Sequence, residues 1–225
     1  MKPFSFSATI RRLELDAPVR ERPDARFGHR AFPSPLQRRG WFDAVGQVMK
    51  YHGYPTSYSW NSMANTYATP TTAALLRDIR NAINWFNSST SEPISACLYL
   101  NNVGYSHASI QTHNYSTICS NIDAGRPVIM SGANSSLEGH SWVCSGHLSY
   151  STSYSYSLQV LSVVEPPLQY ENAGVYYSGA VASDYLYMNW GWYGDYDGWY
   201  IADTVNPTPT DNYKYIRSEI INIYH

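Results

Sequence analysis

Cysteine is scarce in this 225-residue chain. Cys97, Cys119 and Cys144 are too few for a disulfide scaffold, and no CxxC pair points to zinc. There is no HExxH, and no glycine-rich loop follows a strand pattern. Metal, nucleotide and flavin signatures are therefore missing, and no metal or other cofactor is expected. No apolar run approaches the roughly eighteen residues of a membrane span, so membrane insertion is not expected. Charge is thin as well: Asp, Glu, Lys and Arg make up 14% of the chain and the net charge is −2, which leaves no electrostatic footprint for nucleic acid. The apolar content of 44% excludes wholesale disorder, and the length suits one good-sized domain or at most two small ones. The sequence marks no disulfide pairing and no oligomeric state.

Aromatic residues are plentiful, with 21 tyrosines and seven tryptophans. Their distribution breaks near residue 40. Residues 1–40 hold eight of the twelve arginines and no tyrosine; nine positive charges against four acids give a net of +5. Residues 41–225 carry six positives against thirteen negatives, a net of −7. The first stretch shows no sustained apolar period. It is expected to be a mostly disordered basic leader, foreign to the domain that follows, as the product of a wrong reading frame would be. It does not read as a signal peptide, because Arg11–Arg12 follow the weakly apolar start rather than precede it.

From Trp41 on, the pattern is that of a folded domain. Trp41, Val45, Val48 and His52, with Ala44 and Met49 beside them, lie on one face of a helix that Gly53 and Pro55 end. Further helices are expected over 72–86, with Ala73, Leu76, Ile79, Ile83 and Phe86 sharing a face, over 94–102 and over 116–123. Strands are expected over 128–132, 140–146, 157–164, 184–190, 198–201 and 218–224, and a Ser/Tyr turn region over 147–157. Helices first and antiparallel strands later predict an α+β fold with a helical lobe and a sheet lobe.

Three segments carry a resemblance. QVMKYHGYP (Gln47–Pro55) resembles the helix after the nucleophile in the streptopain family of bacterial cysteine peptidases. EGHSWVCSG (Glu138–Gly146) resembles that family's catalytic histidine strand, usually GHAWVxDG. YMNWGWYG (Tyr187–Gly194), followed by DGWY (Asp197–Tyr200), is similar to its NWGWGG…GY segment, with Tyr193 in place of the second glycine. They occur in the family's order over about residues 44–225. The resemblance implies a papain-like two-lobed fold in a peptidase domain at 41–225 lacking its amino-terminal segment. It also implies secretion or cell-surface location, and cleavage of a protein or peptide substrate by a thiolate–imidazole pair.

Residue by residue, the resemblance makes His140 the general base and acid. Strand alternation puts it on one face with Trp142 and Cys144. Asn189 is expected to accept the imidazole N–H and fix its tautomer, with Trp190 or Trp192 shielding that bond and bordering the substrate. Ser89, in the loop 87–91, and Gly139, whose bare backbone lets a peptide approach, are the expected substrate contacts. The nucleophile is missing. Counting back seven residues from Gln47 places the family's cysteine on Gly40, and its GCVAxA is replaced here by RGWFDA (Arg39–Ala44). Gln37, the nearest upstream glutamine, is not assigned the oxyanion-hole role. Cys144 is no substitute, since four residues along a strand span roughly 13 Å. Cys97 and Cys119 read as structural thiols in helices. The expectation is a peptidase domain that is inactive as written; a peptide-binding pseudoenzyme and an aromatic-rich module for carbohydrate or host protein are the alternatives.

Overall fold

The computed structural model describes residues 6–12, 39–64, 69–86, 92–162, 169–192, 194–209 and 211–225. Two compact units form. One comprises Met1–Ile10 and Leu148–Asp184; the other comprises Arg11–His147 and Tyr185–His225 and holds every residue of the site described below.

In the larger unit, α1 (Arg39–His52) buries Trp41, Ala44, Val45, Val48 and Met49, the face that its periodicity predicts. It ends in a Schellman motif: Gly53 sits at φ +61°, its N–H bonds Lys50 O at 3.1 Å and Tyr54 N bonds Met49 O at 3.3 Å. Helix α2 (Pro70–Phe86) packs through Leu75, Ile79 and Ile83, whereas Ala73, expected on that face, is exposed. The spacing i, i+4, i+8 wins over the one through Ala73 because it gathers the larger side chains. Helix α3 (Glu92–Asn102) buries Ala96, Cys97, Tyr99 and Leu100. Strand β2 (Ser109–Thr112), which the sequence pattern did not announce, precedes α4 (Tyr115–Asp123), capped by the Asn114 side chain accepting from Thr117 N at 2.9 Å.

Strand β3 (Val128–Ala133) opens the sheet proper. The remaining strands are β4 (Gly139–Ser162), β5 (Gln169–Asn189), β6 (Gly198–Ile201) and β7 (Tyr215–Ile221). The sheet order is β2-β7-β3-β4-β5-β6, with the β2–β7, β7–β3, β3–β4 and β5–β6 pairs antiparallel. Alternation divides the core. Ile129, Val143 and Ile220 point to α1, α2 and α3, and Val128, Met130, Trp142 and Cys144 point to the other face with α4, Leu186, Met188 and Trp190.

In the smaller unit, Ser149 Oγ donates to Asp184 at 2.7 Å. The run 147–157 is strand rather than turn, and β4 continues unbroken to Ser162. Serine occupies every odd position from 149 to 157 while Leu148, Tyr150, Thr152, Tyr154 and Tyr156 occupy the even ones; this period of two in residues of high strand propensity outweighs the turn preference of serine. Phe6–Arg12 form a further strand, β1, which pairs with β4. Phe4, Phe6, Ala8 and Ile10 alternate with polar residues, a short strand signal inside the basic leader.

Candidate active site

The site begins at the tip of α1. Gly40 is the second residue of that helix and is buried. A Cβ placed on it would lie 3.0 Å from His140 Nδ1, and 2.8 and 2.9 Å from the Ser141 carbonyl oxygen and amide nitrogen. The helix tip thus faces the imidazole where a side chain would meet it, and carries none. Without that side chain the helix sits against the β4 backbone more closely than any Cβ allows.

His140 is the second residue of β4, opposite Gly132 of β3, and only 9% exposed. Its Nε2–H donates to the Trp190 carbonyl at 2.9 Å. A carbonyl only accepts, so this bond puts the ring proton on Nε2 and leaves the Nδ1 lone pair toward Gly40. Trp192 and Tyr213 lie 5.0 and 5.4 Å from the imidazole, centroid to centroid, and Trp190 and Trp142 at 6.2 and 6.3 Å. Burial among these rings pushes the His140 pKa below its ordinary value; the Trp190 carbonyl and the nearby Asp211 charge act in the opposite sense.

The expected Asn189–imidazole hydrogen bond is not the one formed. Asn189 is buried at the end of β5, and its Oδ1 accepts from Gly191 N at 3.0 Å and from Gln47 Nε2 at 3.3 Å. The orienting acceptor for His140 is main chain, one residue further on. The Trp190 N–H in turn donates to Asp197 Oδ1 at 2.9 Å. Trp190 is fully buried, so its ring cannot border a substrate as expected; it packs on Trp142 at 4.8 Å and shields the histidine from within. Trp192 is half-buried and is the aromatic wall nearest the surface. Gly139 is exposed, and a Cβ there would meet only Gly132 O at 3.8 Å, which leaves open space before the histidine. Ser89 lies outside the described residues.

Cys144 and Cys97 are bonded to carbonyls away from the imidazole. Cys144 follows the strand four residues beyond His140, opposite Val128; it is fully buried, its Sγ bonds Gly146 O at 3.6 Å and burial raises its pKa. Cys97 in α3 bonds Ala108 O at 3.4 Å, and burial raises its pKa too. Thiols so placed are not thiolate nucleophiles. Cys119 lies in α4. Among the described residues no group of three His, Cys, Asp or Glu is placed to hold a metal ion.

Sequence reasoning missed three contributors. Tyr213 reaches the histidine because Gly132 lets its backbone in: a Cβ on Gly132 would lie 2.0 Å from Tyr213 O, beside the register shift between Ser131 and Ala133. Asp211 arrives with the same segment. Gln47 did leave a signal, as a polar residue between Ala44 and Val48 on the buried side of α1 and seven residues from Gly40.

The α+β fold is of papain-like type, a class that includes cysteine proteases, and in it a strand histidine is turned to the tip of a buried helix. Within that class the chain belongs to the peptidase C10 family, the streptopain-like peptidases, with a match over residues 56–200. The match takes in His140 and Asn189 and starts beyond Gly40. Among solved structures, the active wild-type interpain A cysteine protease of Prevotella intermedia is 19% identical with a TM-score of 0.56, over 87% of this chain and 88% of that one. A prointerpain A fragment from the same organism, solved as a mutant, is also 19% identical, over 83% of this chain and 63% of that one, with a TM-score of 0.49. No curated protein sequence matches the chain.

Proposed function

We propose that the chain is a cysteine endopeptidase domain of the streptopain family that does not hydrolyse peptides as written. The observation carrying this reading is the 3.0 Å approach of a Gly40 Cβ position to His140 Nδ1. A thiolate peptidase needs its sulfur and its imidazole within hydrogen-bond reach, with a third group holding the ring. The His140 bond to the Trp190 carbonyl and the glycine opposite the ring support this reading. Peptide bond cleavage by this route begins with thiolate attack on the carbonyl carbon. The sulfur–carbon bond forms as the carbonyl electrons move to oxygen, and the imidazolium then protonates the leaving amine. Gly40 cannot take the first step, and the three cysteines are sited elsewhere. His140, its pKa lowered by burial, remains a neutral base with nothing to deprotonate but water.

A second reading is favoured by the exposed Gly139 backbone and the half-buried Trp192: the surface beside His140 binds peptide without cutting it. Protein or peptide is the ligand class in both. A carbohydrate- or host-protein-binding surface is the remaining alternative, and glycan binding that survives loss of both His140 and Asn189 would favour it. Secretion or surface exposure belongs to the same proposal. No helix among the described residues is long and apolar enough to cross a membrane. The basic stretch 1–40 is proposed as foreign in origin to the domain, although its Phe6–Arg12 pairs with β4 and its Arg39–Gly40 open α1.

The test is casein hydrolysis by the purified chain, with and without a thiol-directed epoxide. No turnover above buffer is expected. Cleavage that the epoxide blocks would overturn the inactive reading, and peptide-induced shifts of the His140 ring signals without turnover would support the binding one.

A further inference from the structure

Gly40, Asp43 and Gln47 stand at i, i+3 and i+7 of α1 and so share one face of the helix. That face runs along the segment leaving β5. A Cβ on Gly191 would lie 3.6 Å from Asp43 Cβ and 3.9 Å from Gln47 Nε2. Gln47 is 6% exposed and reaches Asn189 across this contact.

The hydrogen bonds dictate the direction of both amides. The Gly191 N–H needs an acceptor, and Asn189 Oδ1 supplies it at 3.0 Å. A second group bonding that same oxygen must be a donor, so Gln47 presents its NH₂ there. Its own Oε1 is left buried without a partner. Leaving a buried acceptor unpaired is unfavourable, and leucine would fill the space without it. What glutamine adds over leucine is the donor.

That donor acts on the histidine through one peptide group. The Gly191 N–H and the Trp190 carbonyl belong to the same planar unit, so fixing one end fixes the other. The N–H end is held by Asn189; the carbonyl end receives His140 Nε2–H at 2.9 Å. Gly191, at φ +72°, sets this unit in a turn that other residues adopt with strain.

We propose that Gln47 is a positioning residue for His140, acting through Asn189 Oδ1 and the Trp190–Gly191 peptide plane, so that the helix bearing the nucleophile position also fixes the tautomer of the base opposite it. Asn189 thereby orients the ring at one remove. The proposal rests on the reading of His140 as a peptidase base, but its test does not, because ring state is measured without turnover.

The experiment is long-range ¹H–¹⁵N spectroscopy of the histidine side chains in the full chain, with the Gly191 amide shift as a second readout. The parent shows a single Nε2–H tautomer for His140 at neutral pH. Gln47→Leu gives a mixture of tautomers and an upfield Gly191 amide, while the ring signals of His52 stay in place. Asn189→Asp, which keeps an acceptor for both donors, retains the single tautomer. An unchanged His140 tautomer and Gly191 shift in Gln47→Leu would overturn the proposal, as would a scrambled ring in Asn189→Asp. Should Gln47→Leu not fold, Gln47→Glu at pH above its carboxyl pKa takes its place: it offers only acceptors to Asn189 Oδ1, and an unaltered ring there overturns the proposal equally.

Discussion

The tip of α1 and the start of β4 face each other at contact distance, yet they are determined very differently. His140 is fixed by a hydrogen bond to Trp190, by four aromatic rings and by a register that only Gly132 permits. Gly40 opposes it with backbone alone. On the function proposed above, the architecture of the base is kept while the nucleophile side is reduced to a spacer. The packing that holds the histidine does not require a sulfur opposite it.

The largest effect is expected from Trp142→Ala. That ring is 1% exposed and its Nε1–H donates to Met188 Sδ at 2.9 Å. Removing it should cost about 3–5 kcal/mol, as large aromatic truncations do. Chemical denaturation of parent and variant measures this, and a cost below about 1 kcal/mol would show that the histidine side is not the rigid partner. Gly132→Ala comes next. Its Cβ would overlap a backbone oxygen that cannot swing away, so a loss of about 1–3 kcal/mol is expected together with a shifted His140 ring signal. An unshifted ring would remove Tyr213 from the group that holds it.

On the opposite side, Gly40→Cys should restore little casein hydrolysis. The new Cβ is too close to Ser141 O and N to enter without moving the helix tip. Oxyanion donors, worth roughly 3–4 kcal/mol of barrier, have no assigned residue here. Full activity from this single change would show that the tip yields freely.

The smallest effect concerns pH. Burial first, and the neighbouring His225 second, push His52 down from 6.5 to about 4; a backbone hydrogen bond at Ile223 acts the other way. The unfolded chain then binds a proton that the native one does not. Stability should fall as pH drops from 6.5 to about 4, with no further loss from this group below that. His140, also lowered, adds to the same slope. His52→Gln should flatten part of it in urea titrations across that range, and an unchanged slope would assign it to other groups.

Much of this was legible in residue patterns. Periodicity gave the apolar face of α1 from Trp41 on, and the resemblance, by the seven-residue step back from Gln47, pointed to Gly40, the second residue of the helix. Alternation placed His140, Trp142 and Cys144 on one face of β4, as found. What stayed hidden was main chain and long range. Every residue carries a carbonyl, so nothing in the sequence marks that of Trp190 over the amide of Asn189 as the partner of the imidazole. Tyr213 arrives from 73 positions beyond His140 through a gap that one glycine opens. The Ser/Tyr run of β4 was readable as a strand; its serines drew attention to turns while its tyrosines kept the period of two.

The burial of Cys144 turns the histidine strand into its own clock. An alkylating reagent reaches that sulfur only while β4 parts from β3 and α4, and the raised pKa keeps the closed form inert. Labelling speed at this one atom therefore reports how often the scaffold beneath the imidazole breathes.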